Sequence, residues 1–243
     1  MSGHSKWKNI MHKKGKTDAQ RASVFTKISK EIIIAVKAGG GDPNSNSKLR
    51  ELILKAKANN VPNDNIDRTI KKALGNDSAN YEEITYEGYG PGGVAVIVKA
   101  ATDNRNRTAG DVRHYFDKFG GNMGTTGCVS FMFTEKGLII ISDEDEELDE
   151  DKLMEDAMEC GAEDFVRDGD IYEIYTETAD LYDVRDSLVK LGYTVDSADP
   201  DMVPSTYVTL EDEEAVRHMG LLLDSLEDND DVQNVYHNWK NCD

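Results

Sequence analysis

Apolar residues recur every three or four positions in three segments near the start of the chain, a spacing typical of one buried helix face. The pattern predicts helices from Thr17 to the glycines at 39–41, from about Ser47 to Ala58, and from about Asp64 to Leu74. Thr17 and Gln20 have the spacing of a capping box at the first helix start. Three short amphipathic helices joined by short loops predict a small helical bundle.

From residue 94 onwards, short segments rich in β-branched and aromatic residues alternate with segments of helical periodicity. The predicted strands, in chain order, are 94–101, 127–133, 137–141, 162–167, 171–177, 193–198, 205–210 and 232–239. The predicted helices between them are 107–119, 153–160, 181–191 and 213–226. Pro200 and Pro204 indicate a linker between two of the strands.

The order of these elements contains a repeat. Residues 137–198 follow the order β-α-β-β-α-β of a split βαβ unit, and the flanking segments supply two β-α-β halves of a second unit. We therefore predict an α+β fold with an N-terminal three-helix bundle plus two ferredoxin-like domains, one inserted in the other. The expected domains are 1–80, a basic arm and helical bundle; 81–133 with 205–243, a discontinuous α/β domain; and 134–204, an inserted acidic α/β domain. A tandem arrangement is the alternative, but it leaves 94–133 as three elements with exposed sheet edges.

The net charge of −19 is unevenly divided along the chain. Residues 1–75 hold 16 Lys or Arg and 6 Asp or Glu, a charge of +10, whereas residues 76–243 hold 12 and 41, a charge of −29. Phosphate attracts the first segment and repels the second, so a polyanion would meet this protein in one orientation. The charge distribution favours a nucleic-acid partner.

Other classes of function have no support in the sequence. No run approaches the ~20 apolar residues of a membrane helix. Cys128, Cys160 and Cys242 match no zinc or disulfide spacing, and the glycine-rich segments lack the phosphate-loop pattern. The expectation is a cytoplasmic protein with reduced thiols, no catalytic activity, no metal or other cofactor, no membrane contact and no small-molecule substrate.

The N-terminal arm is the strongest candidate for nucleic-acid contact, because cations near phosphates release counterions and a tryptophan can stack on an unpaired base. Cations on the first helix and two arginines in an Asn-rich loop extend this set. The predicted nucleic-acid-binding residues are Lys6, Trp7, Lys8, His12, Lys13, Lys14, Lys16, Arg21, Lys27, Lys30, Arg105 and Arg107. The alternatives are a solubilising tail with Trp7 packed on the bundle, a solvated helix face, and a loop capped by Asn106 or Thr108.

Further cations decorate the predicted bundle, where an ordinary solvated helix face is an equally good interpretation. They are Lys48, Arg50, Lys55, Lys57, Arg68, Lys71 and Lys72.

Several motifs resemble the YebC/PmpR family over essentially the whole chain. They are Gly3-His4-Ser5-Lys6-Trp7, Phe25-Thr26-Lys27, Gly39-Gly40-Gly41-Asp42-Pro43, Pro62-Asn63-Asp64-Asn65-Ile66, Tyr86-Glu87-Gly88-Tyr89-Gly90-Pro91-Gly92-Gly93 and Thr102-Asp103-Asn104-Arg105-Asn106-Arg107-Thr108. The resemblance implies a cytoplasmic protein of three domains without known catalytic activity. Met11, Gln20 and Ser23 stand where members of that family often carry Lys or Arg, which implies fewer contacts through the basic segment.

Two functions follow. Members of the family are described as probable transcriptional regulators that bind DNA, and mitochondrial and bacterial members also as translation factors acting at the ribosome. The first hypothesis is a DNA-binding transcriptional regulator, and the alternative is a ribosome-associated translational activator that binds ribosomal RNA through the basic N-terminal domain. A protein-interaction scaffold is a weaker third interpretation. Charge alone does not distinguish duplex DNA from ribosomal RNA.

Replacing Lys13, Lys14 and Lys16 with alanine tests whether the arm lies at the phosphates. We expect the slope of log affinity against log salt to fall by about one unit for each phosphate that is no longer neutralised, because fewer counterions are released. Titrations of nucleic acid at several salt concentrations measure that slope. An unchanged slope would show that the arm does not contact the phosphates.

Overall fold

The computed structural model describes residues 18–75, 80–143 and 148–241, with side chains from residue 22 onwards. Their fold is α+β, as predicted, with N-terminal helices and two four-stranded antiparallel sheets. These residues fall into two units. The first unit holds the described residues up to Val129 together with Glu211–His237, and the second holds Ser130–Leu210 with the segment that begins at Asn238.

The described part of the chain contains seven α-helices and eight strands. The helices are α1 (Asp18–Gly39), α2 (Ser47–Ala58), α3 (Asn63–Leu74), α4 (Arg105–Lys118), α5 (Glu150–Glu159), α6 (Leu181–Leu191) and α7 (Glu213–Glu227). The strands are β1 (Glu82–Tyr89), β2 (Ala95–Thr102), β3 (Asn122–Met123), β4 (Phe133–Ser142), β5 (Asp164–Asp168), β6 (Ile171–Thr176), β7 (Ser197–Pro204) and β8 (Val232–His237).

Helices α1, α2 and α3 form the bundle that the periodicity predicts. Their apolar faces meet in one cluster, with Ile32, Leu49 and Ile66 buried in it. After α1 the chain turns at Gly40, whose φ of +83° is a left-handed conformation that glycine adopts without strain. Asn46 caps α2 by accepting a hydrogen bond from the Leu49 amide.

The first sheet has the order β3-β1-β2-β8. Because β1 is antiparallel to both neighbours, β2 and β3 run parallel on either side of it and α4 joins them as a split βαβ. Helices α4 and α7 pack against each other and against this sheet. Phe116 and Leu222 are fully buried there.

The strands of this first sheet differ in part from the prediction. Strand β1 was not predicted, since its first residues are charged and exposed and its buried end contains Gly88. A Cβ at Gly88 would lie 2.6 Å from the Asn122 carbonyl oxygen, so a glycine lets β1 and β3 approach closely.

The predicted strand at 127–133 is wrong. The buried Glu87 carboxylate accepts hydrogen bonds from the backbone amides of Gly127 and Val129, at 2.8 and 2.9 Å, and Ser130–Met132 form a 3₁₀ turn. The predicted strand at 205–210 is also wrong, because only Val208 forms an isolated bridge, to Trp239.

The second sheet has the order β5-β6-β4-β7 with antiparallel neighbours, and α5 and α6 lie on one of its faces. This is the complete β-α-β-β-α-β unit that the sequence predicts. Ile139, Tyr172 and Ile174 of the sheet pack with Leu153 of α5 and Leu188 of α6.

The last strand of this unit is displaced from its predicted position. It was predicted at 193–198, but β7 extends to Pro204, so the supposed linker prolines lie inside it. Strand β7 is an edge strand of the sheet. Pro200 and Pro204 are tolerated there with little loss of stability, because a backbone nitrogen that faces outward from an edge strand forms no hydrogen bond within the sheet. The Met202 amide between them donates to the Asp201 carboxylate at 2.8 Å.

In sequence, β4–β7 of the second sheet lie between β3 and β8 of the first. The domain limits at 80/81, 133/134 and 204/205 stay predictions.

Two glycines allow a stability test with opposite expected signs. We expect Gly137→Ala to lower the free energy of unfolding by about 1–3 kcal/mol, because its new Cβ would lie 2.9 Å from Leu181 Cβ. Gly220→Ala, in α7 with open space around the new methyl group, is expected to raise it by about 0.5–1 kcal/mol. Urea unfolding measures both, and a stabilising Gly137→Ala would contradict the close packing.

Candidate nucleic-acid interface

Most of the predicted arm residues lie outside the described residues. These are Lys6, Trp7, Lys8, His12, Lys13, Lys14 and Lys16. Arg21 belongs to α1, but its side chain likewise lies outside the described part of the chain. Nucleic-acid contact by these eight residues stays a prediction.

Lys27 and Lys30 contact the end of α7 and the segment after it. The Lys27 ammonium group donates to the Glu227 carbonyl oxygen at 2.5 Å. Lys30 donates to the Asp230 carbonyl oxygen at 2.8 Å and to the Asp231 carboxylate at 2.5 Å. Cations at a helix C-terminus interact favourably with its exposed carbonyl dipoles. Lys30 is only 7% exposed, so its charge is paired inside the protein and does not face a phosphate in solvent.

Ser23 completes this contact. Its hydroxyl donates to the Asp230 carboxylate at 2.9 Å. Residues 23, 27 and 30 are spaced by four and three positions, so they lie on one side of α1. We call Ser23, Lys27 and Lys30 the α1 stripe; it attaches the bundle to the end of α7.

Asp231 is the centre of a network that joins three elements. Its carboxylate accepts hydrogen bonds from Lys30 of α1, from Arg107 and Thr108 of α4, and from Thr102 of β2, at 2.5, 2.9, 2.8 and 3.2 Å. Burial alone would raise the pKa of the Asp231 carboxyl. The hydrogen bonds from Lys30, Arg107 and Thr108 outweigh burial and lower this pKa to about 2.

Arg105 and Arg107 are both paired with carboxylates. The Arg107 guanidinium donates to Asp231 and to Asp103, each at 2.9 Å, and these hydrogen bonds raise its pKa. Arg105 lies 3.5 Å from the Glu82 carboxylate. Both side chains are at least half exposed, but the neighbouring carboxylates reduce their attraction for phosphate.

The cap of α4 is a residue that the sequence did not single out. Asn104 accepts a hydrogen bond from the Arg107 amide at 3.1 Å and caps the helix. Thr108, one of the two expected capping residues, is instead fully buried in the Asp231 network.

Helices α2 and α3 present the cations that are best placed for phosphate. Six are exposed and form no ion pair with any described residue, in contrast to Lys55, which pairs with Glu31 at 3.2 Å. We call these six the bundle cations: Lys48, Arg50, Lys57, Arg68, Lys71 and Lys72. Arg50 and Lys57 lie seven residues apart and therefore on one side of α2, with Leu54 between them 44% exposed.

The described ranges show no feature of a metal centre or of a membrane span. No group of three or more His, Cys, Asp or Glu side chains there could hold a metal ion. None of the helices in those ranges combines the length and apolarity needed to cross a membrane.

Comparison with known proteins assigns the chain to a family. Residues 5–76 match the TACO1/YebC protein N-terminal domain, and residues 81–239 match the TACO1/YebC second and third domain. The chain belongs to the TACO1/YebC family. This confirms the resemblance seen in the sequence motifs.

TACO1/YebC relatives match over nearly their full length. A probable transcriptional regulatory protein of Acetivibrio thermocellus is 61% identical over 98% of this chain and 99% of that protein. One of Ruminiclostridium cellulolyticum, with the same description, is 57% identical over 99% and 97%. The crystal structure of a conserved hypothetical protein from Aquifex aeolicus has a TM-score of 0.84 and 45% identity, covering 93% of each chain.

Sequence reasoning missed the α1 stripe as a contact within the TACO1/YebC chain. The spacing of residues 23, 27 and 30 indicates a shared helix side, and Asp230 and Asp231 are visible as carboxylates far along the sequence. No local pattern joins the two segments, which lie about 200 residues apart.

Replacing Asp231 with alanine tests how much the network stabilises the first unit. We expect the free energy of unfolding to fall by about 3–5 kcal/mol, because the buried Lys30 charge loses its partner. Asp230→Ala is the matched control: Asp230 is exposed, and its carboxylate bonds only to Ser23 among the described residues, so the decrease is expected to stay below about 1 kcal/mol.

The pH dependence of this difference gives an independent check. An aspartate in the unfolded chain has a pKa near 4, whereas that of Asp231 in the folded protein is about 2. Its stabilising contribution is therefore complete above about pH 4 and is lost as the pH falls through 2. Equal destabilisation by Asp230→Ala and Asp231→Ala, or a difference independent of pH between 4 and 2, would rule out this role.

Proposed function

We propose that this chain is a nucleic-acid-binding regulator of gene expression, and that it acts as a DNA-binding transcriptional regulator. The observation that carries the proposal is the set of bundle cations, which are exposed and have no carboxylate partner among the described residues. Relatives that are 57–61% identical are described as probable transcriptional regulatory proteins.

The bundle cations suit phosphate better than the four predicted contacts whose side chains the structure describes. Lys27, Lys30, Arg105 and Arg107 already interact with carbonyl or carboxylate oxygens of the protein. A phosphate would have to compete with those oxygens, whereas the bundle cations have no such partner among the described residues, and binding there releases counterions. The cation-rich segment before α1 extends this charge in sequence.

The expected mode of binding is weakly dependent on base sequence. Lysine and arginine contacts to phosphate fix the position and orientation of a duplex but do not read bases. The charge of −29 on residues 76–243 opposes contact between that part and a polyanion. Binding through the bundle alone is therefore electrostatic and sensitive to salt.

A translation factor that binds ribosomal RNA is the second candidate. It is favoured by the same division of charge, because a ribosomal surface offers phosphates to the basic segment and basic proteins to the acidic remainder. Both candidates use the bundle cations, so one set of variants tests them together.

Replacing Arg50, Lys57, Lys71 and Lys72 with alanine tests the proposal. We expect weaker binding to a short DNA duplex, with a log–log salt slope reduced by about 0.9 for each phosphate that the variant no longer neutralises. The matched control is Lys152→Ala/Lys190→Ala, which removes exposed lysines of the second unit and is expected to leave the slope unchanged. Fluorescence anisotropy at several salt concentrations measures both.

Ribosome co-sedimentation with the same variants separates the two candidates. Ribosome binding that depends on the bundle cations, without duplex binding, would replace DNA by ribosomal RNA as the target. A wild-type chain that binds neither polyanion at low salt would overturn the proposed function.

A further inference from the structure

Helix α5 exposes two methionines in one row. Leu153 and Ala157 are fully buried against the second sheet, whereas Met154 and Met158 are 43% and 47% exposed. The spacing of four residues aligns them with Glu150 on one side of the helix. Methionine is unbranched and polarisable, and it is over-represented on surfaces that adapt to partner proteins.

The neighbouring row of α5 carries carboxylates at the same spacing. Asp151, Glu155 and Glu159 are exposed, and none has a hydrogen bond or ion pair within the described ranges. Like charges four residues apart repel each other. Glu159 also lies in the last turn, which has no basic residue, so its charge opposes the helix dipole. This arrangement lowers the stability of the helix, and a cationic partner would relieve the repulsion.

The position of the methionine row follows from a contact of Glu150. Its carboxylate lies 2.8 Å from the Arg167 guanidinium on the edge strand β5, so this side of α5 faces that strand. Phe165, two residues before Arg167, is on the same face of the strand, half-buried and stacked on Tyr172 at 5.4 Å. The methionine row therefore lies on the side of α5 that faces β5, and Phe165 supplies further apolar surface on that strand.

A strand added to β5, which is at a sheet edge, would have to displace an existing hydrogen bond. A docking strand would need the outward-facing amides of β5. The Phe165 amide already donates to the Asp164 carboxylate at 2.9 Å. A helix needs no such amide, because it binds through its side chains alone.

We propose that the exposed face of α5 docks a basic amphipathic helix of a partner protein. The apolar row of that helix packs on Met154 and Met158. Its lysines or arginines, at four-residue spacing, pair with Asp151, Glu155 and Glu159. This interaction is independent of nucleic-acid binding by the bundle and can be measured without nucleic acid.

A synthetic helical peptide with lysine every fourth position and leucine beside each lysine is the probe. Titrated into the full chain, it is expected to shift the methyl resonances of Met154 and Met158 and the amide resonances of α5 in NMR spectra. We expect Glu155→Lys/Glu159→Lys to weaken binding at least tenfold, and a peptide with glutamate in place of lysine to restore it. Asp183→Lys/Asp186→Lys on α6 matches the charge change and is expected to leave binding within twofold.

The apolar half of the surface has its own pair of variants. Met154→Ser/Met158→Ser is expected to weaken binding at least fivefold, because the leucines of the peptide no longer bury apolar surface against the methionines. Val189→Ser, which removes a side chain 52% exposed on α6, is the control and is expected to leave binding unchanged.

The melting temperature distinguishes a binding role of these carboxylates from a structural one, because replacing a structural carboxylate would lower it. Glu159→Lys is expected to raise the melting temperature, since it removes a repulsion and complements the helix dipole, while it weakens peptide binding. Equal affinity for the glutamate peptide, or resonance shifts away from α5, would overturn the proposal. Sedimentation that reveals a dimer abolished by Met154→Ser/Met158→Ser would do so too, because the occupant would then be a second copy.

Discussion

The first unit depends on one buried carboxylate. Asp231 lies after α7, and its oxygens collect hydrogen bonds from a lysine of the bundle and from Arg107, Thr108 and Thr102. An isolated charge in that position would be strongly unfavourable, and these donors compensate its loss of water. The network is also directional, since its donors come from three different elements. The bundle can therefore lie against β2 and α4 in few ways that satisfy all of them.

This network changes the meaning of the charge count. In the sequence, residues 1–75 carry +10. In the fold, Lys27, Lys30 and Lys55 interact with oxygens of the protein itself, whereas the bundle cations have no described ion-pair partner. A formal charge attracts a polyanion most strongly when it is exposed and unpaired. Among the described residues, the candidate interface therefore lies mainly on α2 and α3.

The helices could be predicted because their signal is local. Apolar residues at helical spacing lie within one element, and the limits of α2 and α6 agree with the prediction. Strand β1 was missed because half of its side chains are exposed and its close approach to β3 requires a glycine. The segment 127–133 has strand-like composition, but its amides donate hydrogen bonds to the carboxylate of Glu87, forty residues earlier. The contact made by the α1 stripe could not be predicted for the same reason, since its partners lie about 200 residues away.

The prolines of β7 affect whether the second sheet can pair with the sheet of a neighbouring molecule. Residues 200, 202 and 204 direct their backbone nitrogen atoms to the outer edge of the second sheet. Pro200 and Pro204 have no amide hydrogen, and the Met202 amide donates to the Asp201 carboxylate. Between residues 200 and 204, a neighbouring molecule therefore finds no free outward amide with which to extend the ladder. At the opposite edge, on β5, the backbone amide of Phe165 likewise donates to the carboxylate of the residue before it, Asp164. The missing and occupied amides along these two edges disfavour growth of the sheet into fibres.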